Sequence, residues 1–351
     1  MIWWVCFIIV CVQFLLVILL RLVALFKLSS SNIVTGKNAN ISVIIPFHNE
    51  SDRIIELINS LNKCLINQGV ELLFIDDHST DNSIELIEQN LKHPFKIISN
   101  SEQKGKKFAI KKGVKVAQYE TIITWDADIQ LPSDYFIQIQ QLQTSDMAVL
   151  PVNMKANSLI GALSIIEFKF LSALNFGLAS IKQPILANGA NLLFSKKAFL
   201  KVDKQRNDYL VPSGDDVFLL NAFLQNNLKV ELVDSSNCAV TTQAPGTMVK
   251  LLQQRKRWAG KINRMLSAPV ILGFILLLAV QVLLFISLIN LGKNPLFGVV
   301  IGLKYLAELI LIWRWETSMR MTALTLLLHQ IWYPFYLLLL LLPFKKETRW
   351  Q

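Results

Sequence analysis

The stretch TIITWDAD, residues 121–128, decides the fold. Thr121 to Trp125 is a short β-branched and aromatic run, the composition of a buried strand. It ends on two carboxylates one residue apart, Asp126 and Asp128. Carboxylates at a strand end are costly to bury unless they find a partner. A divalent cation and a phosphorylated ligand would together supply one. The same arrangement recurs outward along the chain. ISVIIPFHNE, residues 41–50, is a strand running into a polar turn, and ELLFIDDHSTD, residues 71–81, is a strand running into an acidic turn. A third acidic pair, Asp215 and Asp216, precedes the helix-like Val217 to Leu224.

Helical spacing fills the gaps at residues 52–63, 82–90 and 107–117, and a further strand is expected at residues 95–99. Strands that alternate with helices predict an α/β domain with a mostly parallel sheet. Ligands bind such sheets beyond the carboxyl ends of the strands. Pro46 to Glu50, Asp76 to Asp81 and Asp126 to Asp128 are therefore expected on one rim. Asp126 and Asp128 would lie on the same side of an extended segment, because strand side chains alternate. Two carboxylates so placed suit Mg²⁺ or Mn²⁺, with diphosphate oxygens and water completing the shell.

The ends of the chain read differently. Hydrophobic residues make up 53% of the 351 residues, and mean hydropathy is +0.43. Ile2 to Leu20 is uncharged and long enough to cross a bilayer. It lacks the charged start and small-residue cleavage site of a signal peptide, so an uncleaved anchor is expected. Arg21, Lys27 and Lys37 follow it, which places the domain beyond on the cytoplasmic side. Further spans are expected at residues 266–292, 295–313 and 321–344. Lys304 and Glu308 interrupt the middle one, four residues apart and able to pair on one helix face. The charges around these spans leave their topology open.

Residues 158–181 are apolar with only Glu167 and Lys169 charged, and read as an amphipathic helix in the membrane interface. The layout is then an anchor (1–28), a linker (29–40), a catalytic domain with interfacial helices (41–263), a C-terminal membrane region (264–344) and a basic tail (345–351). Net charge is +10, with cations clustered at residues 104–115 and 255–261. They read as a solvated face beside anionic lipid, and no nucleic-acid-binding motif accompanies them. The four cysteines have no zinc-type spacing and read as packing residues.

Taken together, these residues resemble the membrane-bound family-2 glycosyltransferases, whose catalytic domain has the nucleotide-sugar-binding GT-A fold. The resemblance covers residues 41–258. Ser42 to Glu50 is similar to the family's first strand and base-binding turn, and Asp76 to Asp81 to its second acidic turn. Gly105-Lys106 is similar to its glycine-lysine element, Asp126-Ala127-Asp128 to its DXD, and Gly214-Asp215-Asp216 to its base motif. Gln254 to Trp258 matches Q-x-x-R-W.

The resemblance implies that Asp77, with Pro46 and Glu50, surrounds the donor's base and ribose. It implies that Asp128 is the metal ligand and that Asp126 contacts metal or nucleotide. It further implies that Lys106 and Arg257 meet the diphosphate, and that Trp258, with Gln254 on the same helix face, receives the acceptor sugar. Asn188 and Gly189 would line the donor or acceptor pocket. Asp216 is expected to be the general base. The family carries Glu-Asp where this chain carries Asp-Asp, so Asp215 stays open as the alternative.

The implied activity is inverting transfer from a nucleoside-diphosphate sugar, foremost a UDP-sugar, to a lipid-linked or growing glycan acceptor. Export or oligomer partners are compatible with it, and processivity stays open. A polyprenyl-phosphate sugar synthase, a non-catalytic scaffold and a transporter subunit are the rivals.

Overall fold

The computed structural model describes residues 3–5, 7–15, 18, 39–66, 69–101, 103–142, 145–211, 214–262, 268–312 and 319–341. Most of the expected linker, the cations at Arg21, Lys27 and Lys37, and the basic tail lie outside the described residues. The chain divides into two compact units. One holds all the strands. The other holds the apolar helices.

The strand-bearing unit is built on a seven-stranded sheet in the order β3-β2-β1-β4-β7-β5-β8. Its strands are β1 (Ile41–Phe47), β2 (Val70–Asp76), β3 (Lys96–Ser99), β4 (Thr121–Thr124), β5 (Met147–Val149), β7 (Leu192–Ser195) and β8 (Val230–Leu232). β7 alone runs antiparallel, between β4 and β5. A second small sheet pairs β6 (Val152–Lys155) with β9 (Val240–Gln243). The three expected helices are α2 (Ile54–Leu61), α3 (Ser83–Asn90) and α4 (Lys106–Val116), and α5 (Tyr135–Gln140), α7 (Lys196–Asp203) and α8 (Asp215–Gln225) follow.

Every residue of β1 is buried, which is why it reads as a continuous apolar run rather than an alternating one. It pairs with β2 on one side over its whole length and with β4 on the other only from Ile41 to Ile44. Pro46 therefore sits where the β4 ladder has already ended, so its missing N–H costs no bond on that side. Helix α4 lies close on the sheet because Gly113 has no side chain. A Cβ there would come 2.5 Å from Ile44 Cγ2.

A buried hydrogen-bonded chain runs beneath the rim. Trp125 Nε1 donates to the Tyr135 hydroxyl (3.3 Å), which donates to Asn191 Oδ1 (2.6 Å). The Asn191 amide in turn donates to the carbonyls of Pro151 (2.9 Å) and Cys238 (2.8 Å). All the polar side chains in this chain are thereby paired, as a buried network must be if it is to stabilise anything.

The helical unit comprises α1 (Trp3–Leu15), α6 (Leu159–Ser180), α9 (Met248–Ile262), α10 (Ala268–Asn290), α11 (Leu296–Ile312) and α12 (Met319–Leu341). Among the described residues, α6 is the one helix long and apolar enough to cross a membrane by length and composition. Helices α9, α11 and α12 pack against it.

The amphipathic reading of α6 expects its polar residues on a solvent face. The structure divides them otherwise: Ser164, Glu167, Asn175 and Ser180 are buried together with Leu163, Ile166 and Ala173, while Lys169 and Ser172 are half-buried. Glu167 is accommodated there because it pairs with the equally buried Arg255 of α9 at 2.9 Å. Arg255 thus leaves the expected solvated group of cations. The pairing expected of Lys304 and Glu308 is present at 2.5 Å, and Gln330 of α12 bonds to both.

Candidate active site

The carboxyl ends of β1, β2 and β4 lie side by side, so their following turns share one rim. The β1 turn supplies Glu50, whose neighbour three residues on, Arg53, pairs with it at 2.7 Å. Arg53 also reaches Asp128 at 3.7 Å. Burial pushes the Glu50 carboxyl up to about 7, against the pull of Arg53, and the negative charges of Asp128 and Asp126 push in the same direction.

The β2 turn supplies Asp77, which is fully buried. Its Oδ1 accepts from Asn100 Nδ2 (2.7 Å) and its Oδ2 from the backbone N–H of Gly105 (2.8 Å). The carboxylate expected beside the donor base therefore holds the β3–α4 turn in this structure. Gly105, at φ +140°, makes that turn in a region L side chains rarely adopt, and α4 begins at once with Lys106.

The DXD differs from expectation in its local geometry. Strand β4 ends at Thr124, opposite the start of β7 at Leu192, although β1 on its other side runs on to Phe47. Asp126 follows in irregular backbone, and Ala127 and Asp128 form a turn rather than an extended segment. The two carboxylates still act on each other: burial raises the Asp128 carboxyl above its ordinary value, and the charge of Asp126 raises it further.

Two hard oxygen donors that repel one another fit a divalent cation. Among the described residues no group of three or more His, Cys, Asp or Glu forms a metal cage.

Lys106 joins two of the sequence motifs. Its Nζ lies 2.5 Å from Asp126 Oδ1 and 3.0 Å from Asp215 Oδ2. The paired acids hold its ammonium well above the ordinary lysine range, although burial alone would lower it. Asp215 and Asp216 open α8 behind Gly214, which takes the left-handed conformation at φ +82°. Asp216 accepts from the N–H groups of Val217 (2.7 Å) and Gly189 (3.3 Å). Gly189 packs so closely on this pair that a Cβ would come 2.8 Å from Asp215 Oδ2.

The rim therefore assembles Glu50, Lys106, Asp126, Asp128, Asn188-Gly189, Asp215 and Asp216, with Pro46 at the end of β1. Arg53 joins them unanticipated. Its only sequence signal is its place three residues after Glu50, at the start of a helix.

Gln254, Arg257 and Trp258 lie on α9 in the helical unit. Gln254 Oε1 accepts from Arg255 Nη1 at 2.6 Å, and the Arg255 guanidinium sits 4.1 Å from the Trp258 ring centroid. Arg257 is exposed.

Residues 42–164 match the family model described as glycosyl transferase family 2, and residues 121–344 the model described as glycosyl transferase family group 2. Poly-beta-1,6-N-acetyl-D-glucosamine synthase of Staphylococcus epidermidis is 26% identical over 226 residues, covering 62% of this chain and 53% of that protein. Dolichol-phosphate mannosyltransferase of Pyrococcus furiosus is 33% identical over 95 residues, 27% of each chain. The matched regions thus span about half or less of these relatives' lengths.

Among solved structures, the mannosyltransferase PcManGT of Pyrobaculum calidifontis, in complex with GDP-Man and Mn²⁺, superposes with TM-score 0.57 at 13% identity. It covers 95% of this chain and 99% of that one, a likeness of fold. With the second model matching well over half of the chain and the sheet arranged as the GT-A fold requires, the chain belongs to the family-2 glycosyltransferases.

Proposed function

We propose that the protein transfers a sugar from a nucleoside-diphosphate sugar, foremost a UDP-sugar, to a lipid-linked or growing glycan acceptor at the cytoplasmic membrane face. The observation that carries this reading is Lys106, which brings the DXD carboxylate Asp126 and the base-motif carboxylate Asp215 onto one ammonium. An anionic donor laid along the rim would meet Lys106 and Arg53 as its cations. Glu50 and Pro46 stand at the β1 end, where the base and ribose would lie. A divalent cation held by Asp128 and Asp126 would offset the charge that grows on the departing diphosphate.

Asp216 is held by two backbone N–H groups at a helix N-terminus, which fixes the direction of its carboxylate. In the transfer it takes the proton of the acceptor hydroxyl as that oxygen bonds to the anomeric carbon. The bond from that carbon to the diphosphate breaks, the nucleoside diphosphate leaves with the electron pair, and the anomeric configuration inverts. Trp258 would offer the acceptor sugar an aromatic face, with Gln254 beside it.

A lipid phosphate as acceptor is the second reading, favoured by the match to dolichol-phosphate mannosyltransferase. The test is purified protein in detergent with a panel of nucleotide sugars, with and without Mn²⁺ or Mg²⁺, scored for nucleoside diphosphate release. Product analysis separates a glycan from a lipid-phosphate sugar. Asp128→Ala is expected to abolish turnover through weakened donor binding. Asp216→Asn is expected to bind donor and not transfer. Near-normal transfer by Asp216→Asn would remove Asp216 as the base.

A further inference from the structure

Beside Lys106, which faces the rim, the next side chain of α4 turns the other way into the protein. Lys107 is 4% exposed. Its Nζ donates to the Asp208 carbonyl (2.6 Å) and the Val211 carbonyl (3.1 Å), and pairs with Asp208 Oδ2 (2.8 Å). It also lies 4.6 Å from the centroid of the Phe218 ring, on the first turns of α8. Every one of these partners is within eight residues of Asp215 or Asp216. The lysine thus spans the segment that enters the base motif and the helix that leaves it.

Arg206 closes the arrangement from within the segment, binding both oxygens of Asp208 at 2.9 and 2.8 Å. Lys111, one turn further along α4, pairs with Asp203 at 2.9 Å, and Phe108 packs on Tyr209 at 4.9 Å between centroids. A solvated lysine needs none of this. Placing an ammonium against two carbonyls, a carboxylate and an aromatic face, out of water, costs desolvation that only directed contacts offset.

We propose that Lys107 is a positioning residue for the base motif: it latches residues 208–211 and Phe218 to α4, and so sets where Asp215 and Asp216 stand relative to Lys106. The proposal rests on the glycosyl-transfer reading. Adjacent side chains of one rigid helix then hold the two halves of the site, Lys106 from the rim and Lys107 from behind. A displacement of about 1 Å at a catalytic group lowers turnover on the order of a hundredfold without touching substrate binding elsewhere.

The test compares wild type, Lys107→Met and the isosteric Asp208→Asn in detergent, using the nucleotide sugar that wild type turns over. Donor affinity and stoichiometry are measured by titration with the nucleoside diphosphate and Mn²⁺. Transfer is then expressed per donor-binding site. Both variants are expected to lose at least about tenfold in kcat, with donor affinity within about threefold of wild type. The double variant is expected to lose no more than the worse single one, because both cut one latch.

Wild-type kcat per site in both variants would overturn the proposal. So would a loss of donor binding that parallels the loss of transfer, since that is the mark of a merely structural role. If Lys107→Met does not fold, Asp208→Asn decides alone on the same kcat-against-affinity split. Absence of any turnover by wild type would count against the glycosyl-transfer reading itself, a different outcome from a silent Lys107.

Discussion

Replacing Lys106 by methionine tests whether the rim is an electrostatic assembly or a set of neighbours. Methionine keeps the apolar stem and removes the ammonium that bridges Asp126 and Asp215. The Lys106 and Asp215 side chains are 14% and 13% exposed, so this half is largely but not wholly withdrawn from water. Removing one partner of a fully buried pair costs about 3–5 kcal/mol, because the other charge stays behind. Asp126 is 36% exposed, and solvent screening limits its share to about 1 kcal/mol or less.

Both carboxylates border an open rim, so the low end applies, and about 3 kcal/mol is expected. For a domain of about 150–250 residues that is a fall of roughly 6–12 °C in Tm. The assay is thermal unfolding in detergent with EDTA, repeated with Mn²⁺ and nucleoside diphosphate. The added cation is expected to return much of the loss and to stabilise the variant more than wild type. A Tm within about 2 °C of wild type in EDTA would refute the reasoning, since the carboxylates would then not need the lysine.

Three further outcomes follow from single contacts. Gly189→Ala puts a Cβ 2.8 Å from Asp215 Oδ2 and 3.2 Å from Lys106 Nζ; those atoms end flexible side chains, so Tm is expected to hold within a few degrees while kcat falls at least about tenfold. Asp208 is subject to burial, which would raise its carboxyl, but the Arg206 and Lys107 contacts outweigh that and hold it at about 2. A depressed folded value stabilises above the ordinary carboxylate range and is lost as pH falls, so the stability gap between wild type and Asp208→Asn is expected to be about 2 kcal/mol at pH 6 and to close between about pH 4 and 2. Lys304→Met leaves Glu308 buried without its cation and is expected to cost about 3–5 kcal/mol in detergent unfolding, with Glu308→Gln in the same chain returning much of it.

What could be read from the sequence was whatever depends on near neighbours. β1, β2 and β4 are runs of four to seven apolar or β-branched residues that turn acidic at one end, and both features survive without knowledge of the fold. β5 to β9 are only three or four residues long, too short for periodicity to show, and they enter the structure through pairing with distant chain. The DXD was legible as chemistry and misread as geometry: β4 stops at Thr124, and the two carboxylates follow in irregular backbone and a turn. Lys107 looked like one more member of a basic run. Its partner Asp208 lies 101 residues away, and no local pattern marks one lysine of a cluster as buried. Arg255 was hidden in the same way, 88 residues from Glu167.

The hydrogen-bonded chain from Trp125 through Tyr135 to Asn191 has a bearing on how such a protein can diverge. It joins the residue before Asp126 to the loop that carries Gly189, and it spends every donor and acceptor it contains. Substituting one member strands polar atoms on the others, so these positions can drift only in concert. The rim turns above are tied to one another through charge instead, so a new sugar preference there has to keep the Lys106 bridge between Asp126 and Asp215 while the foundation under the carboxylates stays as it is.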